Sequence, residues 1–402
     1  MMTPEWFELS TLEWTLAGAL AGLFIIQLLY FLFIYRLPSK YIKKSGGETP
    51  AAVATGEEQA LPPVSIIVYT RNEFEDLQKN LPILLSQHYP TYEVIVVKDS
   101  PSDESDDTLK RFQQQYKNLY HTYIPEGAKY LSRKKLALTI GVKAAKYDLL
   151  LFTEAGCHPA TEHWITSFAR QYDADTEIVL GYSAHEPAKG FFRKLAAYDH
   201  LKDGLKYLSA AIRQRPFMGD GNNLSYRKAL FFSHKGYYKT LSLHAGYDDL
   251  FVNETANRKN TKVVLSPDSL TQLAPLYRYK AWKNIKISKA ATSRYYKHAP
   301  KFFFLCETLS YYLFLLTVAA LIVLGLLACN PIFPALAVLF LLLRYAVVLS
   351  VFTRTSKQLQ QKPNRGWIPL FEFIIPIYNL YVKIYRLFRG KKDYTFYLNN
   401  KQ

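Results

Sequence analysis

Three acidic groups lie in the central part of this 402-residue chain, at Lys98-Asp99-Ser100, Glu154-Ala155-Gly156 and Tyr247-Asp248-Asp249. The first two directly follow short apolar runs that are typical of buried strands. Open α/β sheets bind their ligands at the carboxyl ends of strands, so these acids fall where a ligand would bind. Carboxylates accept hydrogen bonds from ribose, hold divalent cations together with phosphates, and remove protons from hydroxyls. A sheet enzyme that handles a nucleotide diphosphate would place its ribose and metal groups at the first two acids, with the third group serving the acceptor.

The elements that must position these acids can be predicted from hydrophobic periodicity. Strand-like runs alternate with segments of helical spacing, which indicates a mostly parallel sheet covered by helices. Thr70-Arg71-Asn72-Glu73 forms a turn after the first strand, and Pro82 is a candidate break in the helix that follows. The strands are predicted at Val64–Tyr69, Tyr92–Val97 and Asp148–Phe152, and the helices at Phe74–Gln87 and Leu131–Lys146.

Composition places part of the chain at a membrane. The net charge is +17 and 49% of the residues are hydrophobic. The basic residues cluster beside membrane-length apolar runs, where anionic headgroups explain them better than nucleic acid does, so no nucleic-acid partner is expected. Cys157, Cys306 and Cys329 have the spacing of neither a metal site nor a disulfide framework, and are expected to be reduced.

Three segments are predicted to cross the membrane as helices, at residues 14–35, 308–329 and 332–352. The first has acidic residues before it and basic residues after it. This bias puts residues 1–13 outside the cytoplasm, and a linker (36–62) and a soluble domain (63–285) in the cytosol. The chain is thus expected to be a multi-pass protein of the cell inner membrane.

Two further segments are predicted to lie in the headgroup region. Residues 286–301 have the composition of an amphipathic interfacial helix. Residues 367–388 are apolar and aromatic but include Glu372 and two prolines, which favours an interfacial or re-entrant segment. Arg344, inside the third span, has two readings: an ion path, or an arginine that snorkels or faces a neighbouring domain.

Six fragments, in order, resemble the membrane-anchored family 2 glycosyltransferases of GT-A fold. The resemblance implies an α/β, Rossmann-like nucleotide-diphospho-sugar transferase domain with transmembrane helices beside it. It covers Val64 to about Leu265. The fragments are Val64–Glu73, Ser86–Ser100, Lys134–Gly141, Thr153–Pro159, Gly219–Arg227 and Gly246–Asn253.

The resemblance implies a role for several residues. Asp99 would hold the nucleoside, with Thr70, Asn72 and Glu73 beside the donor. Lys134 would offset the diphosphate charge, with Arg133 and Lys135 as its alternatives. Glu154 would be the ligand of Mg²⁺ or Mn²⁺, with His158 as an assisting ligand. Asp248 would be the general base, with Asp249 as the rival candidate.

The chain departs from the family pattern at four places. Lys98 replaces the first acid of an Asp-Asp pair, Gly156 the second acid of Asp-x-Asp, and Tyr247 an acid before the base. Ser288-Lys-Ala-Ala-Thr292 stands where related enzymes have a Gln/Arg motif, of which Lys289 is left as a candidate phosphate contact.

Two functions follow from the resemblance and its departures. The first is inverting transfer of a sugar from a nucleotide-sugar donor to a lipid-linked or polysaccharide acceptor of the cell envelope. The alternative is an inactive pseudo-glycosyltransferase that binds a nucleotide or a partner subunit.

Overall fold

The computed structural model describes residues 11–45, 61–71, 73–99, 105–125, 132–241, 243–296 and 298–389. Asn72 and residues 1–10 of the predicted extracytoplasmic terminus lie outside this described part, as does most of the predicted linker.

Ten strands form two sheets. The seven-stranded sheet has the order β3-β2-β1-β4-β8-β6-β9, and only β8 runs against its neighbours. A smaller sheet has the order β5-β10-β7. The strands are β1 (Val64–Thr70), β2 (Tyr92–Lys98), β3 (Leu119–Tyr123), β4 (Leu149–Glu154), β5 (Cys157–Pro159), β6 (Ile178–Leu180), β7 (Ser183–His185), β8 (Leu224–Arg227), β9 (Thr261–Val263) and β10 (Thr271–Leu273).

Thirteen α-helices accompany the sheets in the described ranges, and a π-helical turn, Tyr30–Tyr35, joins the first two. The helices are α1 (Thr11–Leu29), α2 (Leu37–Lys44), α3 (Phe74–Leu85), α4 (Ser105–Gln115), α5 (Arg133–Ala144), α6 (Trp164–Ala169), α7 (Phe191–Ile212), α8 (Lys228–Ser233), α9 (Asp249–Thr255), α10 (Tyr279–Thr292), α11 (His298–Leu327), α12 (Ile332–Gln358) and α13 (Ile368–Arg389).

The central strands β1 and β4 are buried apart from Glu154 at the end of β4, which fits their runs of Val, Ile and Leu between two helical layers. Their register fixes the edge at which the acids meet. Tyr69 pairs with Glu154 and Thr70 pairs with Lys98, so β1, β2 and β4 end side by side. Asp99 follows β2 and Glu154 ends β4 at this common edge, as the sequence predicts for a parallel sheet.

The structure differs from the sequence-based expectation in three elements. Pro82 does not end α3, which continues to Leu85. The predicted linker begins with a helix, α2, and the predicted 286–301 helix instead spans Tyr279–Thr292. The helix α10 begins earlier than predicted because contacts with α7 stabilise its first turns. Trp282 donates to Asp199 of α7, and Lys286 pairs with the same carboxylate.

Four helices are long and apolar enough to cross a membrane: Thr11–Lys44, Pro300–Leu327, Ile332–Gln358 and Arg365–Phe388. The fourth includes the segment predicted to be interfacial or re-entrant. Arg344 of α12 is fully buried and binds both carboxylate oxygens of Glu372 in α13, at 2.6 and 3.0 Å. It also donates to Gln27 of α1 at 2.8 Å. Arg344 therefore neither snorkels nor lines an open path; it joins three helices.

The soluble domain and the long helices share one hydrophobic core. Tyr198 of α7 packs against Phe352 of α12 and Phe371 of α13. Lys202 of the same helix pairs with Glu307 of α11 at 3.4 Å. The long helix α7 thus lies between the sheet and the apolar helices and fixes the domain against them.

Candidate functional site

A cleft of about 800 Å³ opens at the carboxyl edge of the large sheet. Five of the predicted residues line it, namely Glu73, Lys134, Glu154, Asp248 and the candidate phosphate contact Lys289. Thr70, Asp99, His158 and Asp249 are not among its lining residues, although Arg71, which binds Asp99, is. The cleft therefore joins the predicted diphosphate and base positions in one space.

Asp99 is buried and its carboxylate is fully engaged. Oδ2 accepts from Tyr69 at 3.2 Å and from the guanidinium of Arg71 at 3.0 Å, and Oδ1 pairs with Arg133. Its backbone N–H donates to the carbonyl of Thr70, which joins the ends of β1 and β2. Arg71 is largely exposed, so it is the partner that a ligand could draw away most easily.

The replacement of an acid by Lys98 is compensated locally. Its ammonium group is fully buried and pairs with Asp106 in the first turn of α4 at 2.7 Å. Burial of a lysine is costly unless it is paired. Lys98 thus anchors α4 to the sheet and does not face the cleft.

Glu154 and Lys134 form an ion pair at the centre of the site. Tyr247 joins this pair, because its hydroxyl lies 3.0 Å from Glu154 Oε1 and 2.9 Å from Lys134 Nζ. The ammonium group also lies 4.0 Å from the centre of the Tyr247 ring and 5.1 Å from that of Tyr69. Two aromatic rings and a carboxylate therefore fix one positive charge at the end of β4.

Glu73 adds a second carboxyl group to this region. The pKa of Glu73 is raised to about 7, mainly by burial and also by the nearby charge of Glu154, while Lys134 acts in the opposite direction. The carboxyl is therefore partly protonated near neutral pH. It can donate a hydrogen bond to a ligand oxygen in that form.

The three consecutive basic residues of α5 have three different environments. Arg133 binds Asp99, and Lys134 binds Glu154. Lys135 is buried and donates to the carbonyls of Thr240 and Leu243, in the loop that leads to Asp248. Burial lowers the pKa of Lys135 to about 7. Only Lys134 of the three lines the cleft.

Asp248 is oriented by the backbone and faces the cleft. Its Oδ2 accepts from the N–H of Gly221 at 3.0 Å, and its Oδ1 accepts from the N–H of Asp249 at 2.8 Å, capping α9. The pKa of Asp248 is raised to about 7, mainly by burial and also by repulsion from Asp249. A carboxylate with a pKa near neutrality is suited to general-base catalysis.

Asp249 has a structural environment. Its Oδ2 accepts from the hydroxyls of Thr292 and Tyr296, both at 2.5 Å, and its Oδ1 caps the N–H of Leu250. These contacts join α9 to the end of α10. The rival candidate for the base is thus held away from the cleft.

The donor set at Glu154 does not fit a divalent cation site built by the protein. Gly156 supplies no side chain, and the carboxylate of Glu154 is already paired with Lys134. His158 lies on β5, where its ring bonds to Glu186 at 3.2 Å and to the carbonyl of Pro159. Among the residues that the structure describes, no group of three or more His, Cys, Asp or Glu side chains could hold a metal ion.

Several cleft residues were not singled out from the sequence. Asp220 and His200 lie 3.5 Å apart at the cleft wall. The sequence signal for Asp220 was its position in the glycine-rich fragment Gly219–Arg227. The structure shows why a glycine follows it, because a Cβ on Gly221 would lie 2.5 Å from the Tyr247 ring and 3.2 Å from Asp248. Asp203 pairs with Lys289 at 2.7 Å, so the predicted phosphate contact already has a partner. Asp203 had no sequence signal, because its partner is far along the chain.

Comparisons with known proteins give a family model that matches one region of the chain, and a similar fold. Residues 65–235 match the family model described as glycosyl transferase family 2. A mannosyltransferase from Pyrobaculum calidifontis, solved with GDP-mannose and Mn²⁺, superimposes with a TM-score of 0.54 and 16% identity, over 90% of this chain and 99% of that one. TarS residues 1–349 of S. aureus give a TM-score of 0.40 and 16% identity, over 63% of this chain and 70% of that one. No curated protein matches the sequence.

Proposed function

The chain carries a glycosyl transferase family 2 domain of GT-A fold, and from this premise we propose that it transfers a sugar from a nucleotide-sugar donor to an acceptor hydroxyl. The observation that carries the proposal is the single cleft of about 800 Å³ that contains both the Lys134–Glu154 pair and Asp248. A donor diphosphate bound at the first group would place its sugar towards the second.

Asp248 is the proposed general base. It would take the proton of the acceptor hydroxyl while that oxygen attacks the anomeric carbon and the nucleoside diphosphate leaves. Direct displacement by one activated hydroxyl inverts the anomeric centre. Its two backbone hydrogen bonds hold the carboxylate in one orientation, which keeps it aligned for proton removal.

Lys134 is proposed to stabilise the leaving diphosphate. An ammonium group fixed beside a developing phosphate charge stabilises the transition state electrostatically. In this proposal Glu154 orients Lys134, and Arg71 and Lys134 supply the positive charge along the cleft. The donor is held by these side chains, since the residues around Glu154 do not form a divalent cation site.

The acceptor is proposed to be a lipid-linked or polysaccharide precursor of the cell envelope, at the cytosolic face of the cell inner membrane. The wall of the cleft supports this location. Trp282 of α10 lines the cleft and stacks on Tyr378 of α13, one of the four membrane-length helices, at 4.5 Å between ring centres. An acceptor held at the membrane would therefore reach the cleft along α10 and α13.

One observation favours the alternative of an inactive nucleotide-binding or partner subunit. Both oxygens of Asp99 are engaged by arginines and Glu154 is engaged by Lys134, so these three predicted donor contacts already have internal partners. Such a site could bind a nucleotide or a protein without turnover. Hydrolysis of the donor separates the two candidates.

A ligand panel tests the proposal. The full-length protein, in detergent, is heated with UDP, GDP and their sugar conjugates, with EDTA or with Mn²⁺. A ligand at a hundred times its Kd raises the free energy of unfolding by about 2.7 kcal/mol, a readily measured shift. We expect one nucleotide class to stabilise the protein in EDTA and its sugar conjugate to be slowly hydrolysed. Stabilisation without hydrolysis would support the nucleotide-binding form of the alternative. No stabilisation by any nucleotide would contradict sugar transfer and leave only the partner-subunit form.

A lysine variant tests the diphosphate position. Lys134→Gln removes a charged donor, worth about 1.5–3 kcal/mol per hydrogen bond, so we expect nucleotide diphosphate binding to weaken about ten- to a hundredfold. Binding of the nucleoside alone should be unchanged. Lys143→Gln, on the exposed side of the same helix, is the matched control. Equal binding by the two variants in isothermal titration would refute the role of Lys134.

A further inference from the structure

A second cavity, of about 430 Å³, lies away from the cleft, between α12 and the helix that runs through α1, the π-helical turn and α2. One part of its wall is apolar. Phe24, Leu28 and Leu32 follow one another at intervals of four residues and so share one face of their helix. Leu343 and Val347 face them from α12 with the same spacing.

The other part of the wall is cationic. Arg36 and Arg354 both line the cavity, together with Ser39 and Ser350. Among the described residues, neither guanidinium group has a hydrogen-bond or ion-pair partner. Guanidinium groups are the side chains best suited to bind phosphate through paired hydrogen bonds. Two of them at one cavity without an internal acid indicate an anionic ligand.

Both arginines lie at the end of the helices that meets the soluble domain. Tyr41, just beyond Arg36, donates to the carbonyl of Val263 at 2.9 Å. Gln361, just beyond Arg354, donates to the carbonyl of Ala197 at 2.7 Å. The cavity therefore has its charged end beside the domain and its apolar end deeper among the long helices.

The length of the cavity limits its occupant. Twelve residues separate Phe24 from Arg36, which corresponds to about 18 Å along a helix. One leaflet of a bilayer has a hydrocarbon thickness of about 15 Å. A molecule with an anionic head and an apolar tail about as long as one leaflet is thick fits these dimensions. A partner helix that spans the membrane would need an apolar groove about twice as long.

We propose that this cavity binds an anionic phospholipid from the leaflet that faces the soluble domain. The phosphate group lies between Arg36 and Arg354, and one acyl chain lies against Phe24, Leu28 and Leu343. The inference requires that α1 and α12 cross the membrane, and it is independent of sugar transfer. The bound lipid would bridge the first and third membrane-length helices where both join the domain.

Native mass spectrometry of the protein released from nanodiscs tests this proposal. The nanodiscs contain equal amounts of phosphatidylglycerol and phosphatidylcholine. Each charged hydrogen bond from a guanidinium group to the phosphate strengthens binding about tenfold, so the double variant Arg36→Gln/Arg354→Gln should retain about a hundredfold less phosphatidylglycerol than the parent. Lys357→Gln/Arg365→Gln removes the same charge from positions that do not line the cavity and is the matched control. Leu32→Trp should also reduce retention by filling the apolar part, with both arginines intact.

Each outcome decides the proposal. Selective loss of phosphatidylglycerol in Arg36→Gln/Arg354→Gln and in Leu32→Trp, with the control unchanged, supports it. Equal loss in the control variant would show general surface electrostatics and overturn the proposal. If inorganic phosphate displaces the retained lipid and Leu32→Trp retains as much lipid as the parent, the cavity is a site for free phosphate and the proposal is overturned as well.

Discussion

Asp248 and Asp249 are adjacent in the sequence, yet their carboxylates have different surroundings. Asp248 faces the cleft and caps α9, whereas Asp249 binds two hydroxyl groups from the end of α10. The difference arises because consecutive residues at a helix start point in different directions. It assigns the proposed base to Asp248.

The pH dependence of transfer is the first prediction at this scale. Because burial raises the pKa of Asp248 to about 7, the base is protonated at lower pH. We expect kcat/KM to fall about tenfold per pH unit below about pH 7. Asp248→Asn should lower kcat about 10²- to 10⁴-fold and remove this limb of the profile. Asp175→Asn, an exposed acid, is the control, and an unchanged profile in Asp248→Asn would rule out Asp248 as the base.

The same shift has a consequence for stability. The folded-state pKa of Asp248 lies above its ordinary value of 3.8, so the folded chain binds the proton more tightly than the unfolded chain. The parent should therefore lose stability relative to Asp248→Asn as the pH rises from about 4 to about 7, with little change above. Thermal unfolding of both proteins across this range measures the difference.

At the scale of elements, the sequence predicts a helix near α10 but not the elements that it contacts. Its side chains hold three other elements: Trp282 and Lys286 bind Asp199 of α7, Thr292 binds Asp249 of α9, and Trp282 stacks on Tyr378 of α13. These contacts are long-range, so no local pattern reveals them. They make α10 a wall of the cleft.

Asp249→Ala tests the junction of α9 with α10. The hydroxyls of Thr292 and Tyr296 lose their acceptor, and we expect a loss of about 2 kcal/mol in the free energy of unfolding. Removal of this negative charge should also lower the pKa of Asp248, since Asp249 contributes to raising it. The acid limb of the activity profile should then move to lower pH. If Asp249→Ala is as stable as the parent and the acid limb of its profile stays at the same pH, both the structural role of Asp249 and its effect on Asp248 are contradicted.

The Arg344–Glu372 pair fixes α13 to the other long helices. Glu372→Ala leaves a buried arginine without its acid, and we expect a loss of about 3–5 kcal/mol. The double variant Arg344→Met/Glu372→Leu should recover most of it, because no charge remains buried. Unfolding in detergent measures both, with Glu75→Ala, an exposed acid, as the control. A double variant as unstable as the single one would show that the pair is needed for more than charge balance.

At the scale of the molecule, the sheet and the long helices are joined by α7. Its Tyr198 and Lys202 contact the membrane-length helices, and its Asp203 lines the cleft. The proposed site thus keeps a fixed distance from the proposed membrane surface. This arrangement suits an acceptor that is delivered by the membrane.

The proposed orientation makes a prediction about cysteine labelling. Cys329 is exposed between α11 and α12, whereas Cys157 is buried in the soluble domain. With the domain in the cytosol, a membrane-impermeant maleimide should label Cys329 in intact spheroplasts of a Cys306→Ser variant. A cysteine placed at the exposed Asp175 should be labelled only after permeabilisation. The reverse pattern would invert the topology.

Local patterns in the sequence determined where the main strands and most of the long helices of this protein lie. Apolar runs identify β1, β2, β4 and three of the four membrane-length helices, and the parallel arrangement brings Asp99 and Glu154 to one edge of the sheet. The segment 367–388 was predicted to be interfacial or re-entrant, because prolines and charged residues such as Glu372 interrupt it and full crossing would leave its basic tail outside; its helix is nevertheless long and apolar enough to span a membrane. These elements can be predicted because buried apolar positions recur at regular intervals along strands and helices.

Only the tertiary structure decided the partners of the charged groups. Lys98 pairs with Asp106, Lys134 with Glu154, Arg344 with Glu372, and Asp203 with Lys289. A charge has no periodicity, and its partner can lie anywhere in the chain that folding brings within a few ångströms. Whether an acid is a base, a metal ligand or an internal counter-ion therefore depends on packing, which the linear sequence does not contain.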